Sequence, residues 1–204
     1  MAQYSASDGA RGYGYAWDLT TITELQLAGK PKTVVSGLLW GGSGTVKIQQ
    51  CPSFEGSANW GVDPFNGYNY NTSYIGHGQG EFGLQDANGI VPPAKATQIE
   101  RPATTAIFGD GQYSGGANKL MRAPWPHPND EEMGTGMRTA GTQGFRHLGQ
   151  TNVAFCDGHA ESLTQRYTDN EEDASKVAQG TGFLSSDNSA YGSLSPVVNR
   201  WCSD

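Results

Sequence analysis

An Asp-Gly pair set between two runs of β-type residues, 151–156 and 159–163, is the tightest constraint on how this chain folds. Asp157-Gly158 favours a two-residue type I′ turn with positive φ at both central positions, so the flanking runs are expected to pair as an antiparallel hairpin. With that pair as the loop, Cys156 faces His159, Phe155 faces Ala160, Ala154 faces Glu161, Val153 faces Ser162 and Asn152 faces Leu163. Val153, Phe155 and Ala160 then form the core-facing side. His147 stands nine intervening residues ahead of Asp157. At roughly 3.3 Å per residue, an extended chain separates the two by up to about 30 Å. A catalytic His/Asp dyad would need a sharp bend around Leu148-Gly149-Gln150, and the expectation is that both residues shape a scaffold.

The remaining order of elements is mixed and lacks βαβ periodicity. Residues 1–15 are rich in Gly, Ser, Tyr and Ala and are expected to be irregular. A short helix is expected from Trp17 to Leu27, with Asp18 or Thr20 as cap and Gly29 as terminator, and a second from Val34 to Trp40. Strands are expected at Thr45–Gln50, in the Tyr-rich stretch that starts at Gly67, and at Thr104–Phe108, which ends on Asp110-Gly111, an echo of Asp157-Gly158. Residues 77–96 hold too many glycines for a regular helix. Residues 111–143, with Gly115-Gly116 and Pro124-Trp125-Pro126, are expected to form one long loop or insertion. Asp169 and Glu172 have the spacing of a capping box for a helix that ends near Gly180. The resulting class is α+β, an antiparallel sheet with short helices on one side and long irregular loops, all in one domain over residues 1–204.

The His, nine residues, Asp-Gly arrangement resembles the C-terminal signature of a bacterial family of type IV pilin-like proteins, the pseudopilins that carry the H-X9-DG domain. Cys51-Pro52-Ser53 is similar to the family's Cys-Pro-Ser turn. Residues 67–76 resemble its Tyr/Asn-rich strand, residues 101–111 the strand after it, and residues 182–191 a tail found in some members. The matches follow the family's order from about residue 36 to 191. The resemblance implies a pilin-like globular head, a family motif of His147, Asp157 and Gly158, assembly with other pilin-like subunits, and a place on the periplasmic or extracellular face of a bacterial envelope. Family members begin with a long apolar helix, and this chain has no window of the ~20 apolar residues that a membrane span needs. Either that helix was removed to leave a soluble domain, which is the favoured expectation, or it was never part of the protein.

Composition narrows the partners. Gly 29 and Pro 10 make 39 of 204 residues, so turns and irregular connections must be extensive. A net charge of -7 without a basic stripe excludes nucleic acid as an expected partner. Cys51, Cys156 and Cys202 lack any CxxC spacing. In an oxidising compartment Cys156 is expected to be a buried small side chain, which leaves Cys51 with Cys202 as the disulfide candidate. Under the resemblance, the partner of Cys51 would lie in the missing helix, and all three thiols would be free.

Candidate chemistry is sparse. His147, Asp157 and His159 are weighed as metal ligands and set aside on register. Ser185, Asp187 and Asn188 offer oxygen donors for a structural calcium, a reading that draws on the C-terminal calcium loop of major type II secretion pseudopilins; an ordinary Asx turn is the alternative. No Gly-x-Ser-x-Gly elbow or phosphate loop is present. Cys156 beside Asp157 is expected to have its thiol raised, the wrong direction for a nucleophile. Tyr68, Tyr70, Tyr74, Trp60 and Trp125 are candidates for a glycan- or surface-binding face, with strand packing as their alternative role. The expected function is a non-enzymatic structural subunit of a secretion pseudopilus or pilus, without a certain cofactor. An extracellular binding module comes second and a metal-dependent hydrolase third.

Overall fold

The structure is a computed structural model that describes residues 3–27, 29, 31–37, 39, 50–58, 63, 66–71, 75, 94–124, 141–168, 171–185 and 188. The first of its sheets is a four-stranded meander of β1 (Gln3–Ser7), β2 (Arg11–Ala16), β3 (Leu19–Glu24) and β4 (Thr33–Ser36). Both helices expected from the sequence between residues 17 and 40 are therefore replaced by strands. The reason lies in Thr20-Thr21-Ile22-Thr23 and Thr33-Val34-Val35, β-branched runs that lose rotamer freedom in a helix and pack well on a pleated surface. The irregular start expected over 1–15 is also ordered as β1 and β2. Asp8-Gly9 turns the chain there: Gly9 takes φ 86°, and the Asp8 carboxylate accepts the amides of Ala10 and Arg11 at 2.9 and 2.7 Å.

The second sheet has five strands in the order β10-β9-β6-β5-β7, built from β5 (Asn69–Asn71), β6 (Ala106–Gly109), β7 (Leu120–Met121), β9 (Thr151–Phe155) and β10 (Ala160–Leu163). All pairs are antiparallel except β5 with β7. A two-stranded ribbon joins β8 (Gln143–Gly144) to β11 (Thr181–Gly182). The described residues contain a single α-helix, α1 (Glu171–Ala178), and a 3-10 turn at Ala96–Gln98. The fold is thus dominated by antiparallel β-structure, with little helix to set against it. No described helix is long and apolar enough to cross a membrane.

The expected β9–β10 hairpin is present with a different turn. Phe155 N–H donates to His159 O at 2.9 Å and Gly158 N–H to Phe155 O at 3.0 Å, so the loop is Cys156-Asp157-Gly158. Only the glycine of the Asp-Gly pair takes positive φ, at 95°. This is the three-residue hairpin with a bulge at the left-handed glycine. One extra loop residue slips the register by one: Ala160 pairs with Ala154, Glu161 with Val153, Ser162 with Asn152 and Leu163 with Thr151. A slip of one reverses faces, so Val153 and Phe155 are buried as expected whereas Ala160 is exposed. His159 takes the place expected of Ala160, its ring stacked on Phe155 at 4.5 Å.

Apolar packing is modest. Ala106, Met121, Val153, Phe155 and Leu184 form the main cluster with Leu163 against it; each large side chain buried there contributes about 1.5–3 kcal/mol. Polar side chains fill much of the rest and take up main-chain groups that the short strands leave over. The amides of Asn69 and Asn118 both donate to Thr142 O, at 3.3 and 3.1 Å, and that of Asn71 donates to Ala106 O at 2.8 Å. Residues 111–143 were expected to be a surface loop, yet Ala117, Asn118 and Lys119 are buried and lead into β7; residues 125–140 lie outside the described residues.

Candidate functional site

Three turns deliver the side chains that gather around Asp110. Pro52 fixes the backbone of the Cys51-Pro52-Ser53-Phe54 turn, which closes with Phe54 N–H donating to Cys51 O at 3.1 Å. Asp110 follows β6, and Gly111 after it lets the chain pass against Asn118, whose carbonyl oxygen would lie 1.9 Å from any Cβ at 111. Arg146 and His147 precede a two-residue loop, Leu148-Gly149, with φ of 56° and 80°. His147 and Gln150 exchange both amide bonds across it at 3.1 Å. This is a type I′ turn, found nine residues before the place where the sequence pointed to one.

Asp110 is 2% exposed and is held on every side. Its Oδ1 accepts from Arg146 Nη2 at 3.0 Å, and its Oδ2 accepts from Asn152 N–H at 2.7 Å and lies 3.1 Å from His147 Nε2. Its own amide donates to Asn152 O at 3.2 Å and its carbonyl accepts from Gly144 N–H at 2.6 Å. Arg146 also donates through Nε to Cys51 Sγ at 3.4 Å, through Nη2 to Gly67 O, and its guanidinium stands over the Phe54 ring at 5.5 Å. Cys51, itself buried, has Sγ 3.8 Å from His147 Nε2. Cys51, Pro52, Tyr68, Asp110, His147 and Asn152 contribute to the lining of a groove of about 250 Å3.

Two chemistries suggest themselves for Cys, His and Asp in contact. A nucleophilic relay uses the two imidazole nitrogens separately, one for the nucleophile and one for the carboxylate. Here the same Nε2 faces both Cys51 and Asp110, which gives no relay. A metal centre is the second: the three ligand atoms lie within 4.8 Å of one another, and a tetrahedral zinc shell places its donors about 3.3–3.8 Å apart. The guanidinium of Arg146 lies against both the Cys51 sulfur and the Asp110 carboxylate, so an ion bound there would share the site with a fixed positive charge. The arrangement is a cross-brace that binds the Cys-Pro-Ser turn, the end of β6, the β8–β9 connection and Gly67 to one carboxylate.

His147 and Asp157, joined in the sequence signature, enter two separate pairs. His147 meets Asp110, and Asp157 meets His159, with Oδ1 2.5 Å from Nδ1. That bond, together with the His159 amide, holds the Asp157 carboxyl below its ordinary range. The Cys156 thiol is raised, first by burial and then by the Asp157 charge, so the expected direction is met with burial as the larger cause. Cys51 has a free thiol, and Cys202 lies outside the described residues. Of the calcium candidates, Ser185 is buried, Asp187 lies outside the described residues, and Asn188 Oδ1 accepts the Thr168 amide at 3.0 Å. Tyr70 packs at a tilt against Phe108 and Trp17, with ring centroids 5.2 and 6.4 Å away, and Tyr68 packs on the Cys51, Phe54 and Ala117 cluster. Trp60, Tyr74 and Trp125 lie outside the described residues, as do residues 45–49 of the strand expected over Thr45–Gln50.

Leu148 offers a direct check on the turn. It is fully exposed yet left-handed, a conformation that is disfavoured by roughly 1–2 kcal/mol for an L residue and that Asn tolerates far better. Leu148→Asn is expected to raise stability by about 0.5–1 kcal/mol, seen as a higher urea midpoint with unchanged slope. A lower midpoint would contradict the turn.

Comparison of the chain with protein-family models, with curated proteins and with solved structures finds no match.

Proposed function

We propose that this chain is a non-enzymatic structural subunit, the α+β globular head of a pilin-like or pseudopilin protein that works in a filament on the bacterial cell envelope. The observation that supports this reading most is the fate of the signature histidine. His147 pairs with Asp110, both of whose oxygens are already bonded, which favours a histidine that braces turns together over one poised for reaction. The half-buried packing of Tyr68 and Tyr70 against neighbouring side chains favours the same reading over a glycan-binding face. Other pilin-like subunits are the partners it implies.

The test is localisation of the domain. Material sheared from cells that express it, labelled with antibody to residues 1–204 and viewed by electron microscopy, is expected to show filaments decorated at regular intervals. Soluble monomer alone, together with saturable binding on an oligosaccharide array, would replace the proposal with the binding-module reading.

A further inference from the structure

Lys119 stands just ahead of β7 with 4% of its side chain exposed, between the fully buried carboxyl groups of Asp18 and Asp63. Its Nζ touches Asp18 Oδ2 and lies 3.1 Å from Asp63 Oδ2. Trp17 covers the group, with its ring centroid 5.8 Å from Nζ and its indole N–H donating to Lys119 O at 3.4 Å. Phe108, 5.3 Å from Trp17, extends the aromatic wall. Two carboxylates and one ammonium carry a net negative charge in surroundings that penalise any charge. Burial is the largest influence on Asp18 and pushes its carboxyl above the ordinary range, which favours the protonated acid.

We propose that Lys119 and Asp18 form an intramolecular isopeptide cross-link, with Asp63 as the proton shuttle. The Lys119 amine adds to Cγ of the protonated Asp18, and a C–N bond forms. A proton leaves Nζ for Asp63 and is returned to the departing oxygen. The C–O bond breaks, water leaves, and Asp63 ends as it began. No electrons are transferred and no co-reactant is consumed. Condensation replaces two costly buried charges by one neutral amide, and the fold holds amine and acid at very high effective concentration. The bond would span 101 residues and fasten the corner between β2 and β3 to the strand at the edge of the five-stranded sheet. The two sheets could not then separate under load.

Intact mass of the full chain decides the matter. The purified folded protein is expected to be lighter than its sequence by one water. Trypsin is expected to release a branched peptide that joins residues 12–32 to residues 96–122, uncut at Lys119. Lys119→Arg and Asp63→Asn are expected to restore the full mass and abolish the branched peptide. A folded wild-type chain that keeps the full sequence mass after prolonged incubation overturns the proposal. So does a loss of water that peptide sequencing places as a cyclic imide at Asp8-Gly9, Asp110-Gly111 or Asp157-Gly158. If Asp63→Asn cross-links as completely as the parent, the shuttle role is overturned.

Discussion

Asp110→Ala is expected to cost about 3–5 kcal/mol, because it leaves the mostly buried Arg146 guanidinium without its carboxylate partner. At about 2–4 °C per kcal/mol for a chain of this size, the melting temperature should fall by roughly 6–20 °C. Asp157→Ala is expected to cost far less. Asp157 is exposed, its bonds are to the neighbouring His159, and the turn rests on Gly158. Thermal melts of the two variants side by side give the comparison. The sequence signature alone predicts the opposite ranking, since it names Asp157 and omits Asp110. If Asp157→Ala proves the more damaging, the cross-brace does not hold the fold. His147→Ala should fall between the two, since the ring is 28% exposed and part of its bond to Asp110 is replaced by water.

What the sequence revealed of this fold was local, and what it concealed was the set of partners. The β9–β10 pairing follows from its β-type residues and the Asp-Gly pair. The turn type does not, because one left-handed glycine serves a three-residue loop as readily as a two-residue one, and that one residue decided whether Ala160 or His159 lies inside. The type I′ turn formed instead at Leu148-Gly149, where an exposed leucine gave no sign of it. The N-terminal meander was legible in principle. Asp8-Gly9 between two strands is the same signal as Asp157-Gly158, and Thr20-Thr21-Ile22-Thr23 argues for a strand more strongly than Asp18 argues for a cap. The site itself was out of reach. Asp110 and Arg146 are 36 residues apart, and nothing local marks Asp110 as the partner of His147 except the repeated Phe-x-Asp-Gly pattern, which by itself assigns no partner. Lys119 falls within the stretch expected to be a long loop, and only the packing of Trp17 shows that it is enclosed.

Lys119→Met is expected to loosen the junction between the two sheets, and its effect should depend on pH in a definite direction. The substitution takes away both the link to Asp18 and the nitrogen that faces the buried carboxyl groups of Asp18 and Asp63. At neutral pH this should cost about 3–5 kcal/mol. The Asp18 carboxyl already lies above its ordinary value because of burial, and Lys119 is the main influence pulling it back down. Without Lys119 the folded-state value rises further. For a group whose folded value is raised, the stabilising contribution is complete below the unfolded value and is lost as pH rises through the folded one. The variant should therefore approach the parent in acid and fall away from it as pH rises, which urea unfolding across that range would measure. Limited proteolysis at neutral pH should cut first within residues 3–36, the four strands that dock through Trp17 and Asp18. A deficit that stays constant with pH would mean that lost packing of the lysine stem, rather than unopposed buried charge, governs this junction.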